Sequence, residues 1–302
     1  MIIIEGPDGS GKSTLVRYLK DKTKYKIVKP YYPKVNQLSY YLHTPPLYYG
    51  HFLERYYISE IVYPKFKEGR KVMAPWGQFQ IEAAILPYAP VILYLRPEKE
   101  TIIRNIRNRG DDYISEHEVD IMLKEYDDTI NKSFIPVIKY DFEKDNINSK
   151  IEESFNIHNI YDSRCKDLRK YLYSGSNRKG GIMIVGSDPS NRSVGNGYIR
   201  GFLSDKGSSM FLHKVLYEAG VYNHVMPYFT NFGKGFSDDK DKIDAIREEI
   251  EIIQPKKIIV LGKGISKKIG VDCEEIEHPS YVKRFSYNNY DWYIEKIKKL
   301  II

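Results

Sequence analysis

The residues best equipped for chemistry stand at the start of the chain. Gly6-Pro7-Asp8-Gly9-Ser10-Gly11-Lys12-Ser13 fits the G-x-x-x-x-G-K-S pattern of a phosphate-binding loop. Its glycines let backbone N–H groups curl around phosphate oxygens, and a helix opening at Lys12 adds the partial positive charge of its N-terminus. Lys12 would reach the terminal phosphates of ATP, and the Ser13 hydroxyl would hold Mg²⁺. The flanks suit this reading, because Ile2–Glu5 is a short apolar strand and Thr14–Lys20 continues as a helix. The phosphate-contacting set is therefore Gly6, Asp8, Gly9, Ser10, Gly11, Lys12, Ser13 and Thr14.

The surrounding residues resemble thymidylate kinases and related deoxynucleoside monophosphate kinases, including those of phages. That family opens on a strand followed by E-G-x-D-G-x-G-K-S-T, which this chain matches from Glu5 to Thr14. Its next signature, an Asp-Arg pair before Ser and Tyr, is matched by Glu54-Arg55-Tyr56-Tyr57 with Ser59 and Tyr63. The resemblance makes Arg55 catalytic and Glu54 a metal ligand with Ser13, its carboxylate on a longer arm than the usual Asp. A second registration, at Ala74-Pro75, carries no such chemistry. Arg96, Arg104, Arg107 and Arg109, before Gly110-Asp111-Asp112, resemble the arginine lid of that family, with Arg104 and Arg109 as its catalytic members. A solvated basic helix face has the same pattern. ATP, a deoxynucleoside monophosphate and Mg²⁺ are the implied ligands, and a homodimer is a further family-level implication.

The second half carries an ordered set of short motifs. These are Gly186-Ser187-Asp188-Pro189, Gly201-Phe202-Leu203, Tyr228-Phe229-Thr230-Asn231-Phe232-Gly233-Lys234, a helix-to-strand segment ending Leu261-Gly262, and His278-Pro279-Ser280. Taken singly each is ordinary turn or loop chemistry. As an ordered set they resemble the uracil-DNA glycosylase superfamily. The resemblance implies that Asp188 orients the attacking water and His278 hydrogen-bonds the departing base. It also implies that Gly186, Ser187, Phe202, Asn231 and Ser280 form the base pocket. Phe202 would stack on the flipped base, Asn231 would read its edge, and Lys283 and Arg284 would steady DNA phosphates. Ser190 stands where one branch has a Tyr that excludes 5-substituted pyrimidines, so 5-hydroxymethyl bases are expected to enter. Of the cysteines another branch uses to hold iron and sulfur, only Cys165 is in place. Asp162 and Gly235 occupy two further positions, so no iron–sulfur cluster is expected.

Two series of alternating strands and helices must position these groups. The first has strands at Ile2–Ile4, Tyr48–Leu53, Val91–Leu95 and Pro136–Tyr140. Its helices are Lys12–Lys20, Ser59–Lys67, Gln78–Ile85, Pro97–Arg107 and Glu116–Asn131. The second has strands at Gly181–Val185, His224–Tyr228, Lys257–Leu261 and Glu274–Glu277, with helices at Ser208–Ala219 and Lys242–Ile253. Alternation of this kind predicts an α/β fold: two three-layer α/β/α domains, each with a mostly parallel central sheet. The polar stretch Phe142–Ser163 reads as a connection, giving a kinase domain over 1–145, a linker over 146–160 and a glycosylase-like domain over 161–302.

The chain has 302 residues, 42% of them hydrophobic, which is enough for two globular cores and excludes a disordered chain. No apolar run nears the ~20 residues of a membrane span, and no leader is read at the start. With two cysteines, a reducing cytoplasm is expected. A net charge of +7 fits a polyanionic partner such as DNA, or simply a lysine-rich composition. Three functions fit the whole chain. The first is a bifunctional deoxynucleoside monophosphate kinase and base-excising glycosylase. The second is a kinase acting on a base in DNA, such as 5-hydroxymethyluracil, that a non-catalytic glycosylase-like module presents. The third makes the first half a nucleotide-binding regulator.

Overall fold

Ile2–Glu5 (β1) is buried on every residue and lies at the centre of a five-stranded, all-parallel sheet ordered β2-β3-β1-β4-β5. The other strands are Ile27–Val28 (β2), Phe52–Glu54 (β3), Val91–Leu95 (β4) and Val137–Tyr140 (β5). Ile2 pairs with Phe52 on one side and Val91 on the other. Such continuous apolar strands belong to a parallel sheet covered on both faces. The helices of this half of the sequence are Lys12–Lys22 (α1), Gln37–His43 (α2), Tyr57–Val62 (α3), Gly77–Ile85 (α4), Lys99–Arg109 (α5), Glu116–Asn131 (α6) and Ile147–Lys166 (α7). This computed structural model describes residues 1–22, 26–30, 37–66, 72–110, 114–188, 200–234, 236–286 and 289–302.

The chain divides into two compact units, the first made of 1–37, 44–74 and 88–162, the second of 38–43, 75–87 and 163–302. Two boundary expectations are corrected by this division. The polar stretch 146–160 is the body of α7, not a linker. Its Ile147, Ile151 and Phe155, spaced four apart on one helix face, pack against Ile2, Leu15, Leu19 and Phe52. Nor is 1–145 one continuous domain, since α4 belongs to the second unit. Every residue of α4 is buried, Gln78, Gln80 and Glu82 included.

The second unit holds Ser174–Gly175 (β6), Ile182–Gly186 (β7), Tyr228–Asn231 (β8), Lys257–Leu261 (β9) and Glu274–Ile276 (β10), ordered β10-β9-β7-β8-β6. All its pairings are parallel except β6 with β8. Its remaining helices are Gly207–Glu218 (α8), Asp239–Ile253 (α9), Ile265–Ile269 (α10), Pro279–Phe285 (α11) and Asp291–Ile301 (α12). The mixed α/β character, with one parallel and one mostly parallel sheet, is as expected. Two strands are displaced: β3 is Phe52–Glu54, not Tyr48–Leu53, because Pro45–Tyr48 winds into a 3-10 turn, and β8 is Tyr228–Asn231, not His224–Tyr228. Pro227 cannot donate to a ladder, and the polar Thr230 is tolerated inside because Glu249 accepts its hydroxyl at 3.0 Å. No helix among the described residues is long and apolar enough to cross a membrane.

Candidate active sites

In the first unit, the loop from β1 to α1 is held against backbone that leaves no room for side chains. A Cβ on Gly6 would lie 2.5 Å from the Leu95 carbonyl oxygen, and one on Gly9 would lie 2.8 Å from that of Ile102. Both residues also have positive φ, so glycine is required twice over. Lys12 is buried and its Nζ donates to the carbonyls of Gly6 (2.6 Å) and Pro7 (2.5 Å). Behind it, Glu5 accepts from the Tyr56 N–H and the Ser59 hydroxyl, both at 2.6 Å, which ties α3 to β1.

The Ser13 hydroxyl donates to Glu54 Oε1 at 3.5 Å, bringing together two hard oxygens of the kind Mg²⁺ takes beside phosphate and water. Arg55 follows Glu54 with φ of 62°, an unusual conformation for an arginine, and its guanidinium pairs with Asp8 and lies 5.2 Å from the Tyr63 ring centre. Together Asp8, Gly9, Ser10, Gly11, Lys12, Ser13, Thr14, Arg55 and Arg109 line one cavity of about 570 Å³.

Of the arginines expected to form a lid, only Arg109 is placed in the cavity wall. Arg104 is ion-paired with Glu143. Arg107 pairs with Glu116, and Arg96 is held bidentately by Asp127. Asp111 and Asp112 lie outside the described residues. The group that joins α5 to the phosphate loop is instead Asn105, whose Nδ2 donates to the Gly9 carbonyl at 2.7 Å. Tyr140 and Phe142 also line the cavity, and Phe142 packs within 3.2 Å of where a Cβ on Gly11 would sit. Sequence reasoning passed over Phe142 because its polar neighbours read as a connection.

Burial, and then the charge of Arg55, pull Lys12 down to about 7. Phosphate favours the charged amine, so nucleotide binding should take up a proton. ATP affinity is expected to weaken as pH rises above about 7, by up to about tenfold per unit. Titration calorimetry in buffers of different ionisation heat measures that uptake; affinity unchanged with pH would contradict it.

In the second unit, β7, β8 and β10 deliver their motifs to the same carboxyl edge of the sheet, where open α/β sheets bind ligands. Gly186 ends β7, and a Cβ there would lie 2.4 Å from Phe202 Cζ and 2.8 Å from Asn231 Oδ1. The missing side chain is what lets ring and amide converge. Asp188 is exposed, and its carboxylate rests on Gly233, where a Cβ would lie 1.3 Å from Oδ1. His278 caps α11: its Nδ1 accepts from the Ser280 N–H at 3.2 Å, with the Ser280 hydroxyl at 2.7 Å. A backbone amide can only donate, so the proton of the neutral ring sits on Nε2. Burial pulls the imidazole below its ordinary value, which favours that neutral form. Ser187, between Gly186 and Asp188, is half-buried and its carbonyl faces the Gly233 N–H. Ser190 lies outside the described residues, as does Gly235.

A buried network that sequence reasoning missed supports this edge. Glu249 of α9 pairs with Lys234 and accepts from the Tyr228 hydroxyl at 2.5 Å. One carboxylate thus gathers Tyr228, Thr230 and Lys234 from the segment that carries Asn231. Cys165 is buried beside the Leu86 carbonyl (3.6 Å) and the Asn177 amide (3.3 Å).

His213, fully buried on α8, donates from Nε2 to the Phe202 carbonyl at 3.1 Å and accepts from the Tyr222 hydroxyl at 2.6 Å. Burial pushes it down to about 4. The unfolded ring takes a proton near pH ~6.5, so between there and about 4 the unfolded state holds the extra proton. Stability should therefore fall as pH drops through this window, by ~1.4 kcal/mol per unit from this residue alone. Thermal melts of the parent and His213→Gln across that range should diverge; parallel curves would exclude the effect.

Comparison with known proteins finds similar proteins for both halves. Residues 174–301 match the family model described as the Uracil DNA glycosylase superfamily. A prophage-derived protein of Bacillus subtilis (strain 168), YorR, is 27% identical over 151 residues, which is 47% of this chain and 88% of that protein. The crystal structure of YorR with phosphorylated GDP aligns over 53% of this chain and 94% of its own, at 23% identity and a TM-score of 0.44. A deoxyadenosine kinase from M. mycoides with bound dCTP aligns over 53% of this chain and 100% of its own, at 20% identity and a TM-score of 0.35. The chain therefore joins a first part similar to the prophage protein YorR and a stretch, 174–301, that matches the uracil DNA glycosylase superfamily.

Proposed function

We propose that the chain carries two enzymes, a Mg²⁺- and ATP-dependent deoxynucleoside monophosphate kinase and a glycosylase that removes a uracil-class base from DNA. The observation that supports the kinase is the convergence of Lys12, Ser13, Arg55 and Arg109 on one cavity. In the reaction an oxygen of the acceptor phosphate bonds to the γ-phosphorus as the bond to the β–γ bridging oxygen breaks, releasing ADP. Lys12, Arg55 and Arg109 stabilise the charge spread over the moving group. Ser13 and Glu54 would hold Mg²⁺, which neutralises charge on the phosphates.

For the glycosylase, the supporting observation is the Ser280 N–H bound to His278 Nδ1, which assigns the ring's proton to Nε2. A neutral ring with its proton on Nε2 donates a hydrogen bond to the base oxygen that becomes negative as the C1′–N bond breaks. Asp188 favours the cationic sugar and orients the water whose oxygen bonds to C1′. The products are the free base, protonated from water, and an abasic sugar. Phe202 and Asn231 hold the extruded base.

One experiment tests both halves. The full chain is incubated with γ-labelled ATP, Mg²⁺, each deoxynucleoside monophosphate and duplexes containing uracil or 5-hydroxymethyluracil. Label in a deoxynucleoside diphosphate together with new abasic sites is the expected result. Label retained on DNA without abasic sites would defeat this reading in favour of a kinase acting on a presented base.

A further inference from the structure

Phe202 adopts φ of 53°, a left-handed conformation costing a bulky residue on the order of 1 kcal/mol or more, and such residues persist only where their surroundings over-determine them. Two sets of contacts hold its loop, and both lead to α4. The Phe202 carbonyl is held by His213, and His213 by the Tyr222 hydroxyl. The Tyr222 ring is in turn stacked on Phe79 at 4.5 Å between centroids and 12° between planes. The Tyr222 and His213 planes differ by only 13° with centroids 6.1 Å apart, so the two rings lie nearly parallel and meet edge to edge through that hydrogen bond. Two residues on, the Ser204 carbonyl accepts directly from Gln80 Nε2 at 2.6 Å. Gln80 is fully buried, so without that donor the carbonyl would lose a partner in a dry setting, at a cost of about 1–3 kcal/mol.

We infer that α4, encoded inside the kinase-like half of the sequence, is a positioning element of the base site, with Phe79 and Gln80 setting the place and backbone conformation of the Phe202–Ser204 loop. The inference rests on the reading of that loop as a base-capturing one, and it adds residues that no motif in the glycosylase-like half contains. Phe79 and Gln80 touch no base themselves. They act through Tyr222, His213 and the loop backbone. A glutamine whose amide stays 0% exposed while bonding a loop carbonyl, rather than its own helix, is poorly explained as core filling.

The test uses the full chain with Gln80→Met, which keeps the volume and removes the donor, and Tyr222→Phe, which removes the hydroxyl that orients His213. Hydrogen exchange of the amides at 200–206 is expected to speed up about tenfold in either variant, while amides of β7 and ATP binding at the phosphate loop stay as in the parent. Uracil-DNA cleavage should show a raised KM with little change in kcat, since a displaced Phe202 weakens capture and leaves Asp188 and His278 in place. Unchanged exchange at 200–206 in both variants would overturn the inference. Exchange judges it even if the protein cleaves no base, whereas Phe202→Ala judges the base-site reading separately: cleavage and capture equal to the parent would remove Phe202 from that site.

Discussion

Lys12→Ala is expected to slow phosphoryl transfer by about 10²–10³-fold while leaving the second unit at work. The loop wraps the amine, whose Nζ already rests on the Gly6 and Pro7 carbonyls, ready to exchange them for phosphate oxygens. Removing a single electrostatic group of this kind lowers turnover by about 10²–10³-fold. Folding should survive. A buried ammonium is costly to desolvate, and the neighbouring Arg55–Asp8 pair does not depend on it. The measurement is conversion of each deoxynucleoside monophosphate to its diphosphate, with base removal from uracil-containing DNA followed in the same preparation. A variant that phosphorylates at the parent rate would exclude Lys12, and with it the placement of the reaction at this loop.

Much of the candidate phosphate site was legible in the sequence because local signals were strong and agreed. The phosphate loop carries its glycines, its lysine and its flanking elements within twenty-two residues, so no long-range fact was needed. The helix Glu116–Asn131 was placed correctly at both ends, and a capping box between Ser115 and Glu118 defines its start. Long-range facts were less visible. The polar residues of α7 hid the spacing of Ile147, Ile151 and Phe155, which becomes a signal only when the apolar positions are read apart from their neighbours. The arginine run showed charge but not partners, and Glu143 and Glu116 take Arg104 and Arg107 for structure. Glu249 looked like one more acid on a surface helix, whereas its carboxylate organises the strand that bears Asn231.

The least legible fact was that α4 crosses into the second unit. Its pattern is buried all round, which marks a core helix without saying whose core. A fragment beginning near residue 160 would lack Phe79 and Gln80, exposing the Tyr222 face that Phe79 covers and leaving the Ser204 carbonyl without its donor. Activity of the second unit is therefore to be sought in the full chain.

In that chain, Asp188→Asn and His278→Asn are each expected to slow base removal by about 10²–10³-fold with DNA affinity nearly unchanged. Asparagine at 188 keeps the shape that rests on Gly233 and removes the negative charge that favours a cationic sugar. At 278 the choice of variant matters, because the imidazole does two things. Its Nδ1 caps α11 through the Ser280 N–H, and truncation to alanine would cost about 1 kcal/mol of helix stability along with the catalytic donor. Asparagine is itself a good cap, so it separates the two roles: α11 stays formed and the proton on Nε2 is lost. Affinity should hold because phosphate contacts dominate it, and Lys283 and Arg284 on α11 remain. Abasic-site formation and filter binding on the same uracil-containing duplex measure the two quantities. Equal rates in Asp188→Asn and the parent would remove the carboxylate from the mechanism. A parent that binds this DNA and yields no abasic sites would reduce the second unit to a base-holding module.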